Sequence, residues 1–528
     1  VMLPNNLAEK AHNDPYNKPV YHRLRRWVDF CVDHRKSVLL ATGGLFIAAI
    51  LGMKLVQQQF FPTASRPELL VELRLKEGSS IKATEREVKR LENLLLKDED
   101  IDYFTAYVGQ GSPRFYISLA PELPNPAYAQ FVIQTGGLAQ REAVRTRLMT
   151  LFDEDQVFPQ LRGRVLRLEF GPPVGFPVQF RVIGPDPMEV RRIAYEVRDT
   201  VRASALVRDT QLYWNDQVRV MKVRIDQNKA RLLGVSSVDI ANLLQTALSG
   251  APVSQIRRGE ELIDIVVRGT PEERARVENI GDLSVFSRTG GVVPLSQVAS
   301  IEPVFEEPVL WRRNRHLQLT VKSDLADGVQ GPYATQQIWP SLQPIIDALP
   351  PGYELQQGGA IEESLKANKA IGAVFPVMLI VMLMVLMFQL QSFSRMFMVF
   401  LTAPLGLIGV VPALLLFNVP FGFVALLGVI ALAGMIMRNS VILVDQIEQD
   451  IAAGHEPWQA IVDATVRRSR PVVLTAAAAV LAMVPLSTSV FWGPMAISIM
   501  GGLVFATGLT LLFVPALYAA WFKVKRAS

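Results

Sequence analysis

The stretch Phe421–Asp445 constrains this chain more than any other, because its apolar residues run long enough to cross a hydrocarbon core of about 30 Å. Inside the run stand Arg438 and Asn439, and a further apolar turn, Val441 to Val444, follows before Asp445 marks a polar edge. A fixed charge at that depth costs several kcal/mol unless a partner or a water-filled cavity receives it. The competing reading, an arginine near a helix end that snorkels to the headgroups, conflicts with the apolar turn beyond it. Arg438 and Asn439 therefore read as a counter-ion and its hydrogen-bonding neighbour in a transmembrane relay. Asp445 reads as an interfacial charge.

Five further runs have spanning length: Val38–Val56, Ala370–Leu390, Met396–Phe417, Pro471–Ser489 and Ala496–Phe522. Pro404, Pro412, Pro485 and Pro515 inside spans predict kinks. The positive-inside rule orients the set. Basic residues flank the first run at His34-Arg35-Lys36, and they recur in Gln391–Arg395, Asp445–Arg470 and Lys523–Arg526. The loops Asn418–Pro420 and Val490–Pro494 carry none. Residues 1–36 and the tail 523–528 are thus expected in the cytoplasm, and the soluble stretch after the first span (37–57) on the outer side. Tyr21–Phe30 predicts a short amphipathic helix. Residues 446–470 predict another on the inner surface, broken near Gly454 and Pro457, with Arg467, Arg468 and Arg470 facing phosphates.

The composition excludes several classes. A net charge of +5, with Lys and Arg gathered beside the apolar runs, speaks against nucleic acid. One cysteine, Cys31, rules out intrachain disulfides and multi-cysteine metal sites, and the five histidines lack metal-ligand spacing. No nucleophile–base pair or phosphate loop is visible, so neither an enzyme nor a cofactor is expected. The first residue is Val1, and no signal peptide precedes the first run. The expectation is a piece of a longer chain.

The outer region alternates strand and helix periods. Val71, Leu73 and Leu75 alternate with charged residues as in a half-buried strand, and Ile81, Val88, Leu91 and Leu95 follow at helical spacing. Strands are predicted at Ile101–Val108, Arg114–Leu119 and Arg164–Phe170, and a helix at Arg141–Phe152, giving a split βαβ order. A second such unit begins at Val178, has a helix over Met188–Ala203, and resumes with a strand at Leu317–Val321 and a helix near Gln336–Leu349. The insertion between them contains a capping-box spacing at Ser236-Ser-Val-Asp239 and a hairpin turning at Gly259-Glu260. The fold class is an α+β membrane protein with six transmembrane helices and a large outer region.

Several stretches resemble half of a resistance-nodulation-cell division (RND) transporter. Val56-Gln-Gln-Gln-Phe-Phe-Pro62 resembles that family's exit from its seventh span, and Val223-Arg-Ile-Asp-Gln-Asn-Lys-Ala-Arg-Leu-Leu-Gly-Val235 resembles its Asp-x-x-(Lys/Arg)-Ala-x-x-x-Gly-Val signature. Gly434–Asp445, Arg470–Ala476 and Met500–Thr507 are similar to its last three spans. The resemblance implies the C-terminal half of a proton-driven pump of the bacterial inner membrane, in the branch that exports hydrophobic or amphiphilic compounds. It implies a homotrimer working with the N-terminal half, a periplasmic adaptor and an outer-membrane channel. It further implies porter subdomains at 58–173 and at 174–220 plus 315–360, a docking insertion at 221–314, and spans within 370–522. Arg438 stands where most members have Lys, and Phe505 where many have a relay Thr, leaving Thr507 as a possible relay neighbour.

The short loop Gly109-Gln-Gly-Ser-Pro-Arg114 lacks the phenylalanine of well-known drug-pocket loops. Tyr103, Tyr107, Gly109, Gly111, Arg114, Phe115 and Tyr116 are the candidate substrate pocket or gate, because amphipathic rings give apolar contact without rigid geometry. The competing reading of these aromatics is ordinary core. Two alternative functions share the fold: export of an endogenous lipid or amphiphile, and assistance to protein translocation. The insertion speaks against the second.

Overall fold

The computed structural model describes residues 19–153 and 157–526. The chain opens with α1 (Pro19–Asp33) and α2 (Arg35–Gly52), separated at His34. A four-stranded α/β unit follows: β1 (Glu68–Leu75), α3 (Ile81–Leu95), β2 (Ile101–Val108), β3 (Tyr128–Thr135), α4 (Leu138–Asp153) and β4 (Leu161–Arg167). Its sheet runs β2-β3-β1-β4, antiparallel throughout. Leu69, Val71, Leu73, Phe131 and Ile133 face α3 and α4, where Val88, Leu91, Val144 and Leu148 close the core. Each such side chain contributes about 1.5–3 kcal/mol through burial. Ser80 starts α3 by accepting the Ala83 amide.

The strand expected at Arg114–Leu119 does not form; the second hairpin strand is β3. Pro113 and Pro121 bracket that stretch and Pro124 and Pro126 follow it, so the chain crosses 113–126 as an irregular loop. Tyr128–Thr135 is free of proline and buries Tyr128, Phe131 and Ile133.

The second α/β unit begins with β5 (Val178–Gly184), α5 (Pro187–Arg202) and β6 (Val207–Leu212). The chain then leaves for a separate compact unit made of residues 76–79 and 214–310. That unit holds β7 (Val218–Ile225), α6 (Gln227–Leu232), α7 (Ser237–Leu244), β8 (Ala251–Arg258), β9 (Glu261–Val267) and α8 (Pro271–Ala275). It closes with β10 (Ser284–Phe286), β11 (Val292–Pro294), α9 (Leu295–Val298) and β12 (Ala299–Glu306), the last paired with β7. The signature after Val223 has a structural purpose here. Asp226 caps α6 by accepting the Asn228 and Lys229 amides, Ala230 is buried, and Gly234 takes φ +68° in the turn that follows.

The second α/β unit resumes with β13 (Arg312–Arg313), β14 (His316–Leu325), α10 (Gly331–Ile338), α11 (Gln343–Asp347) and β15 (Glu354–Gly359). Pro340 and Pro344 divide the helix expected near 336–349 into α10, a 3₁₀ turn and α11. β14 pairs β5 and β6, and β5 pairs β15, the same order as in the first sheet.

Six helical segments among the described residues are long and apolar enough to cross a membrane. The first is Arg35–Leu55; the others are α12 (Ala360–Leu390), α13 (Phe393–Phe400) joined to α14 (Leu407–Leu416), α15 (Phe423–Ala452), α16 (Pro457–Ser487) and α17 (Gly493–Trp521). Pro404 lies in the 3₁₀ turn Ala403–Gly406 that joins α13 to α14, while Pro412, Pro485 and Pro515 sit inside continuous helices. The surface helix expected over 446–470 is instead the end of α15 and the start of α16. Helical hydrogen bonding carries on past Asp445, and the turn falls at Ala453–Glu456.

Candidate functional site

α17 runs through the bundle against α14, α15 and α16. Gly409 and Gly501 allow α14 and α17 to approach closely, since a Cβ on Gly409 would overlap the Gly501 carbonyl oxygen. Packing against α17 fixes how α15 turns. Leu432, Ile436, Asn439, Ser440 and Leu443 are buried, and the Ser440 hydroxyl meets that of Thr402 at 3.2 Å. Leu427, Ala431, Gly434, Arg438 and Ile442 form the opposite, open stripe at spacings of three and four residues.

Arg438 and Asn439 thus point to different surroundings. Asn439 is 4% exposed inside the bundle, while Arg438 is exposed and has no ion-pair partner among the described residues. Thr507 donates to the Leu503 carbonyl of its own helix at 2.7 Å, and no described bond joins it to Arg438. Asp445 accepts from Gln449 at 2.9 Å. Arg467 pairs with Asp450, and Arg468 donates to Gln446 at 2.7 Å, so both stitch α16 to α15.

The aromatic candidates lie on the side of the first sheet away from its helices. Tyr103 and Tyr107 stand on the edge strand β2, Tyr103 66% exposed. Tyr116 packs on Leu70, Leu119 and Leu168 beneath the Arg66 guanidinium, 5.4 Å from the ring centre. Phe115 is exposed, and Arg114 donates to the Ile117 carbonyl. Gly109 takes φ +78° at the start of the loop, and a Cβ on Gly111 would come within 2.9 Å of the Glu122 amide. None of the described ring contacts joins Tyr103 or Tyr107 to Phe115 or Tyr116.

What the sequence pattern missed lies between the two sheets. Their helix-free faces meet over a polar cleft lined by Glu72, Arg74, Arg162, Arg164, Asp209 and Lys322, with Phe176 and Gln211. Arg164 donates to both Asp324 oxygens, at 2.7 and 2.6 Å, and to the Gly175 carbonyl at 2.8 Å. Burial pulls the Arg164 guanidinium down, but Asp324 and Glu72 outweigh it and hold it above its usual range. Lys322 has no such partner among the described residues. It lies over the rings of Phe176 and Tyr213 at 4.4 and 4.6 Å. Burial, with Arg74 and Arg164 nearby, pushes its ammonium down from 10.5 to about 7. Burial likewise raises the carboxyls of Asp209 and Glu169. Among the described residues no three His, Cys, Asp or Glu side chains converge as a metal site.

Comparison with known proteins fits this arrangement. The nickel and cobalt resistance protein CnrA of Cupriavidus metallidurans is 26% identical over 360 residues, 66% of this chain and 33% of that protein. The cobalt-zinc-cadmium resistance protein CzcA of the same organism is 26% identical over 355 residues, 65% of this chain and 33% of its own length. The nickel-cobalt-cadmium resistance protein NccA of Alcaligenes xylosoxydans xylosoxydans is 25% identical over 352 residues, 64% and 32%. The matched stretches thus span about a third of these relatives. In the solved structures, a heavy metal efflux pump superposes in two crystal forms with TM-scores of 0.75 and 0.73 at 20% identity. Those matches cover 96% and 94% of this chain and 52% and 53% of that pump, and they show a shared fold.

These relatives overturn the expectation of a hydrophobic or amphiphilic cargo, and with it the multidrug and xenobiotic range. Each is named for resistance to metal ions. The alternatives of lipid export and translocation assistance fall with it. Residues 10–521 match the AcrB/AcrD/AcrF family, so this chain belongs to that family, within the RND transporter superfamily.

Proposed function

We propose that this chain is the C-terminal half of an inner-membrane permease that exports a divalent heavy-metal cation against an inward flow of protons. The similarity to nickel, cobalt, zinc and cadmium resistance proteins, over about two thirds of the chain, carries this reading.

The membrane part supports the coupling mechanism. A proton carrier needs a group that gains and loses its proton near working pH. Between their polar ends the six spans hold no Asp, Glu or His. A guanidinium is a donor only, so Arg438 serves as counter-ion to carboxylates that another part of the transporter brings to the open stripe of α15. Asn439 and Thr507 act as neighbours that fix the surrounding helices.

The two α/β units are porter subdomains on the periplasmic side, and their facing sheets form the cleft that opens and closes during transport. Tyr103, Tyr107, Gly109, Gly111, Arg114, Phe115 and Tyr116 border its entrance. The unit at 214–310 docks to neighbouring protomers of a homotrimer and to an outer-membrane channel, alongside a periplasmic adaptor.

The test is metal tolerance. This chain, produced with its N-terminal half in a metal-sensitive bacterial host, raises tolerance to cobalt, nickel, zinc or cadmium and leaves tolerance to hydrophobic dyes unchanged. Dye tolerance without metal tolerance refutes the cargo.

A further inference from the structure

Helix α1 has three sides, and the described residues cover only two. Leu24, Val28 and Val32 pack into the bundle, the last two with no exposed surface. A second side is held by polar contacts: Arg25 pairs with Asp463 at 2.6 Å, and Asp29 accepts from Trp458 Nε1 at 2.8 Å. The third side, at 100° per residue, carries Val20, Arg23, Trp27 and Phe30, with Arg26 on its border. Val20, Trp27 and Phe30 are 69%, 66% and 61% exposed. Arg23 and Arg26 are also exposed, and neither has an acidic partner among the described residues.

The position of α1 narrows what covers this side. Arg35, at the start of α2, donates to the carbonyls of Ala519 and Val524 at 2.8 and 2.6 Å. That places α1 beside the C-terminal end of α17. The α/β sheets adjoin the other end, where Gln58 bridges to Phe421 and the rings of Phe61 and Phe491 stack at 6.2 Å. One residue, His34, separates α1 from a membrane span. That span also carries exposed apolar side chains, Leu40 at 77% and Ile47 at 60%.

We propose that this side of α1 lies in the headgroup layer of the cytoplasmic leaflet and binds anionic phospholipid. Val20, Trp27 and Phe30 enter the acyl boundary, the depth where tryptophan is enriched. Arg23 and Arg26 meet the phosphates, whose oxygens suit the planar guanidinium fork. Charge complementarity and continuity with the span select lipid over a soluble protein. Each arginine near an anionic surface is worth about a fivefold enrichment of anionic lipid. The inference concerns a lipid site and does not depend on which cargo the transporter carries.

The chain holds a single cysteine, Cys31, so one reporter can be placed cleanly. The full 528-residue chain with Cys31→Ser and Val20→Cys, labelled with bimane, is reconstituted in phosphatidylcholine nanodiscs. Equal mole fractions of brominated phosphatidylglycerol or brominated phosphatidylcholine are then included. The anionic quencher is expected to act more strongly. The double variant Arg23→Gln/Arg26→Gln is expected to lose that preference, by more than about tenfold, while quenching by brominated phosphatidylcholine persists and reports that α1 is still in place. Arg25→Gln, at a paired position, leaves the preference intact. Equal quenching by the two lipids overturns the proposal. So does no quenching by either, which would mean that protein covers the stripe or that it faces water. Loss of preference with Arg25→Gln alone overturns it as well.

Discussion

Replacing Arg164 with Met removes the cation that ties the two sheets together and leaves Asp324 behind in a closed cleft. In the native chain Asp324 receives two guanidinium hydrogen bonds, at 2.7 and 2.6 Å, and its residue is 8% exposed. Breaking a buried pair from one side costs about 3–5 kcal/mol, because the remaining charge keeps its desolvation penalty and loses its partner. Arg164 also covers the Phe176 ring at 3.6 Å, but methionine retains part of that contact. Removing both charges, as in Arg164→Met/Asp324→Leu, is expected to cost far less, about 1 kcal/mol or even a gain. Relative to Arg164→Met alone, the double variant should therefore recover about 2–4 kcal/mol. Thermal unfolding of the detergent-solubilised chain reads this out. For folded regions of about 150–250 residues, 3–5 kcal/mol is a drop in Tm of about 6–20 °C. If the double variant is as unstable as the single one, the pair is not what holds the cleft, and the reasoning fails.

Three further outcomes are expected. The lowered Lys322 ammonium means that the unfolded chain binds more protons than the folded chain between pH 7 and 10.5, so stability rises with pH across that window and is lost as pH falls toward 7. Lys322→Met should flatten this slope in unfolding curves taken at several pH values; an unchanged slope places the titration elsewhere. Arg438→Ala should abolish metal export while leaving assembly intact on size-exclusion chromatography, and Arg438→Lys should keep part of the activity because charge survives without the fork. Deleting the tip of the β8–β9 hairpin around Gly259 should impair trimer formation, because Val253, Ile256 and Leu262 on it are exposed in the single chain; a trimer of normal stability would contradict that.

The membrane part is largely legible in the sequence because lipid forces long unbroken apolar runs, which no soluble helix needs. Polar edges are less legible. Asp445 ends the apolar run but not the helix, since Gln449 and the following turn keep the backbone bonded to Ala452. In the first sheet, alternation correctly sets Val71 and Leu73 apart from Glu72 and Arg74, yet alternation cannot say what covers a face. Glu72 and Arg74 read as solvent-facing, and the second sheet covers them. The strand expected at 114–119 is misplaced because Tyr128–Thr135 takes the position between β1 and β2, leaving the proline-bracketed stretch as a loop. Cargo is the least legible feature. The residues that carry the resemblance, Gly434–Asp445 and Val223–Val235, belong to a helix of spanning length and to a capped turn.

The most direct test of metal export is flux across a sealed membrane. The chain is reconstituted with its N-terminal half in proteoliposomes that enclose a zinc- or cobalt-responsive dye, under an imposed pH gradient. The account predicts cation movement that dissipates the gradient, no movement with Arg438→Ala, and none from the 528-residue chain alone. Proton-coupled movement of a hydrophobic dye without any metal flux, or metal flux by the chain alone, would contradict it.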